Sequence, residues 1–360
     1  MTFEGARADL GLAEGINRFA IDMVEEGSRL AAARALPARR YRVGPLTITV
    51  RTAGEALERR FGRALAHARS DEEAGQGLDL VVIDSRAAGL PPTPEWRFPF
   101  VERSHVERLH AAADGSAMLG HNIDHHIWQA LDAGAGRGLY WCDDADELPP
   151  WEDGSPLRSL VHWATLAGPL GIVHAAAVSA GGRGALLAGA GGSGKSTTTA
   201  ALVLEGVASA GDDLVLVDTA SLPQPMAYAL YDTLKLDRGS LGRLPALAGP
   251  AAGAVWADQE KARLHIGELF PERLAPAFPL HAILLPQVGH AATRIAPASA
   301  ADAVRALAPT TMFLLRGGAK QTYAKSVALA RRLPAFHLEL GPDAPEAARA
   351  IRAWLEGLQP

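Results

Sequence analysis

A glycine-rich segment near the middle of the chain carries the clearest chemical pattern in the sequence. It fits G-x-x-x-x-G-K-[ST] and continues with a threonine; its residues are Gly189, Ala190, Gly191, Gly192, Ser193, Gly194, Lys195, Ser196 and Thr197. In such a loop the backbone N–H groups point at phosphate oxygens, and the following helix adds its positive dipole end. We therefore expect ATP to bind here, with Lys195 on the β- and γ-phosphates and the Ser196 hydroxyl on Mg²⁺.

The alternative interpretation of this segment is a flexible glycine-rich linker. Against it, an apolar strand is predicted directly before the loop, at 184–188, and a helix directly after it, over Lys195–Leu204. The chain has 37 glycines but only five lysines in 360 residues, so a chance match to the whole pattern is rare. Nucleotide binding is the firmest prediction from the sequence.

Two adjacent aspartates, Asp212 and Asp213, stand between that helix and a short apolar strand predicted at 214–217. Phosphoryl transfer needs a second metal ligand and a group that receives the acceptor's proton, and carboxylates can fill both functions. At a junction between loop and strand, both side chains can face the phosphates. A surface turn also favours an Asp-Asp pair, and the spacing alone leaves both interpretations open.

His174 lies in an otherwise apolar segment, 172–179, which we predict as a strand beside the strand of the glycine loop. A histidine in such a place is commonly a hydrogen-bonded core residue. The functional interpretation makes it the partner of an aspartate, whose carboxylate it would hold in place and whose basicity it would adjust.

Cations downstream of the aspartates are further candidates. Lys235 and Arg238 could clamp the transferring phosphate or an acidic substrate, and the alternative is a solvated loop. Arg316 and Lys320, which flank Gly317 and Gly318, permit the same hypothesis with less support.

A histidine-rich segment is a candidate metal site. His121 and His125 would lie one turn apart in a helix, which is a spacing used in zinc sites. Asn122 stands where an H-E-x-x-H motif has its glutamate, so the segment is interpreted as a polar surface stretch.

The elements that must position these residues alternate between helix and strand, which predicts an α/β core. Helices are predicted at 4–35, 53–69, 195–204, 319–332 and 344–358, and strands at 45–51, 78–84, 172–179, 184–188, 214–217, 282–286 and 335–340. A proline- and acid-rich stretch at 143–156 has the composition of a linker. We therefore expect a smaller N-terminal α/β domain at 1–150 and a P-loop domain at 151–360.

The composition narrows the partners. A chain of 360 residues that is 48% hydrophobic can fill two cores, and a net charge of −5 offers no basic footprint for nucleic acid. Cys142 is the single cysteine and suits a reducing compartment, so we expect a cytoplasmic protein. The N-terminus has no signal-peptide pattern, and glycines and a proline interrupt the apolar stretch 163–182, so no membrane span is expected.

Residues 171–218 resemble the HPr kinase/phosphorylase family and its relatives, the HPr-kinase-like serine kinases. The resemblance lies in the run from His174 to Ala177, the glycine turn at 181–184, the glycine loop, and Gly211 with the two aspartates, in that order. It implies a P-loop kinase core of the HPr kinase and phosphoenolpyruvate carboxykinase type. It also implies Asp213 as the base, His174 as its partner, and Asp212 with Ser196 at the metal, although the two aspartates can exchange roles.

The family's glycine-rich substrate signature is matched only loosely, at 236–239, so the resemblance does not imply HPr itself as the substrate. Some shorter relatives phosphorylate serine in ribosomally made peptides such as lasso peptides. The expected function is an ATP- and Mg²⁺-dependent kinase that acts on a serine-type hydroxyl of a peptide or protein. A small-molecule hydroxyl kinase and a nucleotide-sensing module without transfer stay as alternatives; the acceptor, a reverse phosphorolytic reaction and a homo-oligomeric state are left open.

Overall fold

The computed structural model describes residues 3–72, 77–92, 116–257 and 261–358, and it shows a mixed α/β protein with three β-sheets in these ranges. The chain divides into two compact units. The first comprises Met1–Arg63, Arg69–Leu166 and Leu315–Ala319, and the second comprises Ala64–Ala68, Ala167–Leu314 and Lys320–Pro360. The expected domain limits at 1–150 and 151–360 stay a prediction.

The first unit is built on a six-stranded sheet of order β1-β2-β3-β6-β5-β4, in which β2, β3 and β6 run parallel and the other neighbours run antiparallel. Its elements are α1 (Phe3–Ala33), β1 (Ala38–Val43), β2 (Leu46–Ala53), α2 (Glu55–Ala64), β3 (Leu78–Asp84), β4 (Ala117–Asn122), β5 (Ile127–Asp132), β6 (Arg137–Cys142), α3 (Trp151–Gly154) and α4 (Arg158–Ala164).

Helix α1 supplies one side of this unit's core. Ile16, Ala20, Met23 and Val24 are buried and recur at helical spacing, so they form a single apolar face. That face packs in one cluster with residues of β3, β5 and β6, among them Ile83. The predicted helix at 4–35 and the predicted strand at 78–84 are confirmed.

The second unit contains a nine-stranded and a three-stranded sheet. Its strands are β7 (Leu170–Val173), β8 (Ala175–Ala180), β9 (Arg183–Ala188), β10 (Ala208–Gly211), β11 (Val215–Asp218), β12 (Met226–Tyr228), β13 (Thr233–Leu236), β14 (Val255–Ala257), β15 (Lys261–His265), β16 (Ala277–Val288), β17 (Arg294–Ala298) and β18 (Ala335–Leu340). Its helices are α5 (Lys195–Leu204), α6 (Arg238–Arg243), α7 (Ala248–Ala252), α8 (Ile266–Leu269), α9 (Ala300–Leu314), α10 (Ala319–Arg332) and α11 (Ala344–Glu356).

The large sheet has the order β10-β8-β9-β16-β12-β11-β7, and β18 joins it through β16 and β17 through β18. Strands β9, β16 and β18 are parallel. Strand β8 is buried on both faces: Ala176 and Val178 pack with α5 and α11, whereas Ala175 and Ala177 pack with α9 and α10. Helices on both sides explain why these strands are continuous apolar runs in the sequence.

The predicted single strand at 172–179 is wrong at one residue. His174 separates β7 from β8, and these strands have different neighbours, β11 for the first and β9 and β10 for the second. Its backbone N–H donates to Thr311 Oγ1 at 3.0 Å instead of joining a strand ladder. At His174 the chain therefore passes from β7, at one end of the strand order, to β8, the second strand from the other end.

The turn between β8 and β9 is made by Gly181 (φ 57°) and Gly182 (φ 76°), as expected for a tight hairpin that needs positive φ at both positions. Within the described ranges, no helix combines the length and the apolar character needed to cross a membrane.

Candidate active site

The glycine loop joins the end of β9 to the start of α5. Gly192 (φ 80°) and Gly194 (φ 103°) adopt left-handed backbone conformations that residues with a Cβ rarely tolerate. A Cβ on Gly194 would lie 2.7 Å from Leu340 Cδ1, and one on Gly189 would lie 2.8 Å from Ser193 Oγ. The loop therefore requires glycine at 192 and 194 for its backbone conformation and at 189 and 194 for close packing, which a flexible linker would not.

Lys195 begins helix α5 and folds back over the loop. Its Nζ donates to the carbonyl oxygens of Gly189 at 2.7 Å and Ala190 at 3.1 Å, and the residue is only 7% exposed. Burial lowers the pKa of the Lys195 ammonium, and the carboxylates of Asp212 and Asp213 oppose that shift. The loop lysine and both predicted aspartates therefore share one electrostatic environment.

Asp212 follows β10 and is 2% exposed. Its carboxylate accepts hydrogen bonds from the Ser196 hydroxyl and, at Oδ2, from the backbone N–H of Lys235 at 3.3 Å. Among the described residues, its other oxygen, Oδ1, has no hydrogen-bond partner. Burial and then the negative charge of Asp213 raise the pKa of Asp212 to about 6. The structure thus joins the two residues that were predicted to hold a metal.

Asp213 lies between two positively charged or donating groups. His174 Nε2 donates to its Oδ1 at 3.1 Å, and Lys235 Nζ donates to its Oδ2 at 2.9 Å. Its side chain is 28% exposed, in contrast to the buried Asp212. Burial would raise the pKa of Asp213, but the charge of Lys235 and the hydrogen bond from His174 outweigh it and hold that pKa well below its usual range.

The first turn of α5 also contacts the helix that follows β13. Thr197 Oγ1 lies 2.7 Å from Ser240 Oγ, and Ser240 is 6% exposed. Asp237 caps helix α6, since its Oδ1 accepts from the Ser240 N–H at 2.7 Å. This contact ties the glycine-loop helix to the segment that carries Lys235 and Arg238.

The two proposed clamp residues differ in their surroundings. Lys235 reaches Asp213, as described above. Arg238 lies with its guanidinium 4.5 Å from the ring centre of Trp256, in a cation–π contact. The structure therefore brings Lys235 directly to the aspartates and gives Arg238 an aromatic neighbour on β14.

The histidine segment is not helical. His121 belongs to β4 and stacks on Trp128 at 3.9 Å, and burial followed by the charge of His126 lowers the pKa of His121 to about 4. His125 ends a short 3₁₀ turn and meets the Trp151 ring edge-on. The one-turn spacing does not arise, and no cluster of three or more His, Cys, Asp or Glu side chains suited to a metal occurs in the described ranges.

Arg316 and Lys320 fall in different compact units. The Arg316 carbonyl accepts from Trp163 Nε1 at 2.8 Å within the first unit. Lys320 is exposed in the first turn of α10.

Four polar residues of the second unit have no place in the sequence predictions, namely Ser240, Lys261 and the buried pair Asp232 and His265. One signal was available for Ser240, because Asp237 precedes it at the spacing of a helix N-cap. Lys261 and His265 lie on β15 and Asp232 directly precedes β13, and only the fold reveals how these short strands pair.

No protein-family model matches the sequence, and no curated protein matches it. Among solved structures, the HPr(Ser) kinase/phosphatase from Coxiella burnetii is similar at 12% identity over 52% of this chain and 99% of that chain, with a TM-score of 0.28. Agreement at this level does not assign a family, so the site is interpreted from its own geometry.

Proposed function

We propose that the protein is an ATP- and Mg²⁺-dependent kinase that transfers the γ-phosphate to a serine-type hydroxyl of a peptide or protein. One observation carries the proposal: Asp213 is shared by His174 and Lys235 while the adjacent Asp212 bonds to the serine of the glycine loop. A loop able to hold phosphate, a buried carboxylate beside it and a second, accessible carboxylate are the parts that phosphoryl transfer requires.

The residues fit a magnesium ion. Asp212 Oδ1 is a buried oxygen that has no hydrogen-bond partner in the described part of the chain, and Ser196 already touches the same carboxylate. Buried oxygens of this kind are commonly satisfied by an ion or water. Ser196 and Asp212 would hold Mg²⁺, which when bound neutralises charge on the phosphate oxygens.

Exposure supports Asp213 as the proton acceptor. Its side chain is 28% exposed, so an acceptor hydroxyl can approach it, whereas Asp212 is sealed at 2%. His174 holds one carboxylate oxygen of Asp213 and Lys235 holds the other. This support orients the base and keeps it ionised at neutral pH.

Transfer moves the γ-phosphate from ATP to the acceptor oxygen. The acceptor oxygen bonds to the γ-phosphorus as the bond from that phosphorus to the bridging oxygen breaks, and ADP leaves. Asp213 receives the hydroxyl proton. Lys195 and the loop N–H groups hold the phosphates, and Lys235 stabilises charge near the transferring group.

The test combines binding and transfer. We expect wild-type protein to bind ATP with Mg²⁺ and to label a serine peptide from ATP carrying a radioactive γ-phosphate. Lys195→Met should weaken ATP binding by about tenfold or more, because a charge-assisted contact to phosphate is lost. The peptide pool and a pool of small hydroxyl compounds are assayed in parallel, so that a small-molecule kinase is recognised.

Arg331→Met is the matched control. Arg331 lies in the last turn of α10, just before β18, and β18 runs parallel to β9. The glycine loop follows the carboxyl end of β9, so Arg331 lies at the opposite end of these strands. ATP binding without any transfer would favour the sensor alternative, and equal ATP binding by wild type and Lys195→Met would refute the proposal.

A further inference from the structure

The three-stranded sheet, of order β13-β15-β14, has two chemically different faces. Directly opposed residues in an antiparallel pair project to the same side, and neighbours along a strand alternate. One face carries Leu234, Leu236, Ala262 and Leu264, which are all buried in a core cluster with α5. The other face must therefore carry the residues between them.

That second face is rich in cations. Lys235 is opposed to Arg263, and Arg263 is opposed to Val255, so the three residues form one row across the sheet. Lys261 lies two residues before Arg263 and projects to the same side. We call these four residues, Lys235, Lys261, Arg263 and Val255, the cationic face. Arg263 is buried at 7% exposed, whereas Lys261 is partly exposed.

The cationic face borders the proposed reaction centre, because Lys235 is the residue that bonds Asp213. Lys261 is also near. Leu236 opposes Ala262, so the next position along the two strands brings Lys261 beside Asp237, the cap of α6.

Electrostatic effects agree with this placement. The pKa of Lys195 is lowered mainly by burial, and the charge of Lys261 adds to that lowering. The pKa of Asp237 is lowered mainly by the hydrogen bond from the Ser240 N–H, with Lys261 contributing. Three of the chain's five lysines, Lys195, Lys235 and Lys261, thus meet in one region.

We propose that the cationic face selects the acceptor: the phosphorylated serine lies in an acidic peptide segment, and Lys261 binds a carboxylate next to that serine. The proposal rests on the proposed kinase function and names its substrate class. A flexible ammonium with three donors suits carboxylates at variable positions of a peptide. Val255, which is 50% exposed at the end of the row, offers an apolar contact for a neighbouring peptide side chain.

The alternative functions of these charges are less well served by the geometry. Lys195 and the loop amides already surround the phosphate position, and Lys235 is engaged by Asp213. Lys261 lies on the same face of the three-stranded sheet as Lys235, one same-face position further along and beside Asp237. A cation there adds little to phosphate binding that Lys195 does not supply, but it meets whatever flanks the acceptor hydroxyl.

The test uses three serine peptides that differ only in the residues flanking the serine, which are aspartate, alanine or lysine. We expect wild-type kcat/KM to be about three- to tenfold higher for the aspartate peptide than for the alanine peptide, and lowest for the lysine peptide. The preference should shrink as salt is raised, because the carboxylate contact is solvent-exposed and screened.

The decisive variant is Lys261→Glu, with Lys261→Gln as a milder second variant and Arg331→Glu as the charge-matched control at the far end of the strands. Lys261→Glu should invert the preference, Lys261→Gln should abolish it, and Arg331→Glu should leave it intact. Thermal unfolding of each variant shows whether it is folded. If Lys261→Glu is not folded, the peptide preference of Lys261→Gln tests the inference.

The outcomes separate the two proposals. Transfer to none of the peptides by wild-type protein that binds ATP overturns the proposed kinase function and this inference with it. Equal transfer to all three peptides, or an unchanged preference in Lys261→Gln, overturns the acidic-acceptor inference and leaves the kinase function standing.

Discussion

Two His–Asp pairs in the second unit have the same chemical components in opposite surroundings. His174 and Asp213 meet at 3.1 Å with side chains 14% and 28% exposed. His265 and Asp232 meet at 2.8 Å, and both side chains are 3% exposed. The difference lies in access and in the neighbouring groups.

The buried pair is tied into the backbone. The Asp232 carbonyl accepts from the Ile266 N–H at 2.8 Å, and its N–H donates to the Ala64 carbonyl at 3.3 Å. Thr233 and His265 are the terminal register partners of β13 and β15. The pair therefore stabilises the end of the three-stranded sheet, and its hydrogen bond contributes to the stability of the fold.

The open pair instead has functional neighbours. Asp213 also bonds Lys235, adjoins Asp212 and shares an electrostatic environment with Lys195. A buried charge cluster that stays partly accessible costs stability and is characteristic of a site that binds or reacts. Access and a third partner, rather than the His–Asp contact, thus distinguish the pair in the candidate site from the buried pair.

The largest expected effect comes from replacing the carboxylate of each pair by an amide. Asp213→Asn should lower phosphoryl transfer by about 10³-fold, because the amide cannot receive a proton, while ATP binding persists. Asp232→Asn should lower the free energy of unfolding by about 1–3 kcal/mol, because it weakens a buried hydrogen bond, and should leave the rate per folded molecule near wild type. Single-turnover transfer and denaturant unfolding measure the two quantities.

The comparison fails if the effects are exchanged. Rapid transfer by Asp213→Asn would remove the proposed base, and loss of transfer by stable Asp232→Asn protein would assign the buried pair a function in the reaction.

The fold was predictable where local signals are strong. The bounds of α5 and α10 match the predicted Lys195–Leu204 and Ala319–Arg332, since a glycine turn precedes each and apolar periodicity fills it. Strands β10, β13, β14 and β15 were not predicted, because segments of three to five residues are fixed by their neighbours in the sheet. The break at His174 could not be predicted for the same reason, because strand pairing fixes where β7 ends and β8 begins.

The candidate site divides in the same way. His174 and Asp213 were singled out because they flank a recognisable loop, although their contact itself needed the fold. Asp232 and His265 gave no signal, since they are 33 residues apart, one directly before β13 and the other at the end of β15, with no motif around either. Lys261 could not be predicted from the sequence, because only the strand register places it beside Asp237.

The next prediction concerns Lys235, the third partner of the His174–Asp213 pair. The folded pKa of Asp213 is depressed, so the ionised base is present above that pKa and is lost as pH falls through it. Lys235→Met removes the largest lowering influence and leaves burial, which raises the pKa. The acid limb of kcat should therefore move to higher pH, with a loss of about tenfold in rate at neutral pH.

The measurement is the pH dependence of kcat at saturating ATP and acceptor, so that weaker acceptor binding does not enter. Arg331→Met should keep the wild-type profile. An acid limb at the same pH in Lys235→Met and wild type would show that Lys235 does not set the charge of Asp213.

The smallest effect concerns the hydroxyl that positions the loop helix. Ser240→Ala removes the 2.7 Å contact with Thr197 Oγ1, next to the proposed metal ligand Ser196. A single neutral hydrogen bond contributes about 0.5–1.5 kcal/mol, so the Kd for ATP with Mg²⁺ should rise about two- to tenfold. Ser326→Ala is the control, because Ser326 is also buried and its hydroxyl donates within its own helix, to the Thr322 carbonyl at 3.1 Å. A rise in Kd confined to Ser240→Ala, with similar unfolding curves for both variants, would show that the Thr197–Ser240 contact positions the loop helix for ATP. Equal Kd values for both variants and wild type would show that this contact is only structural.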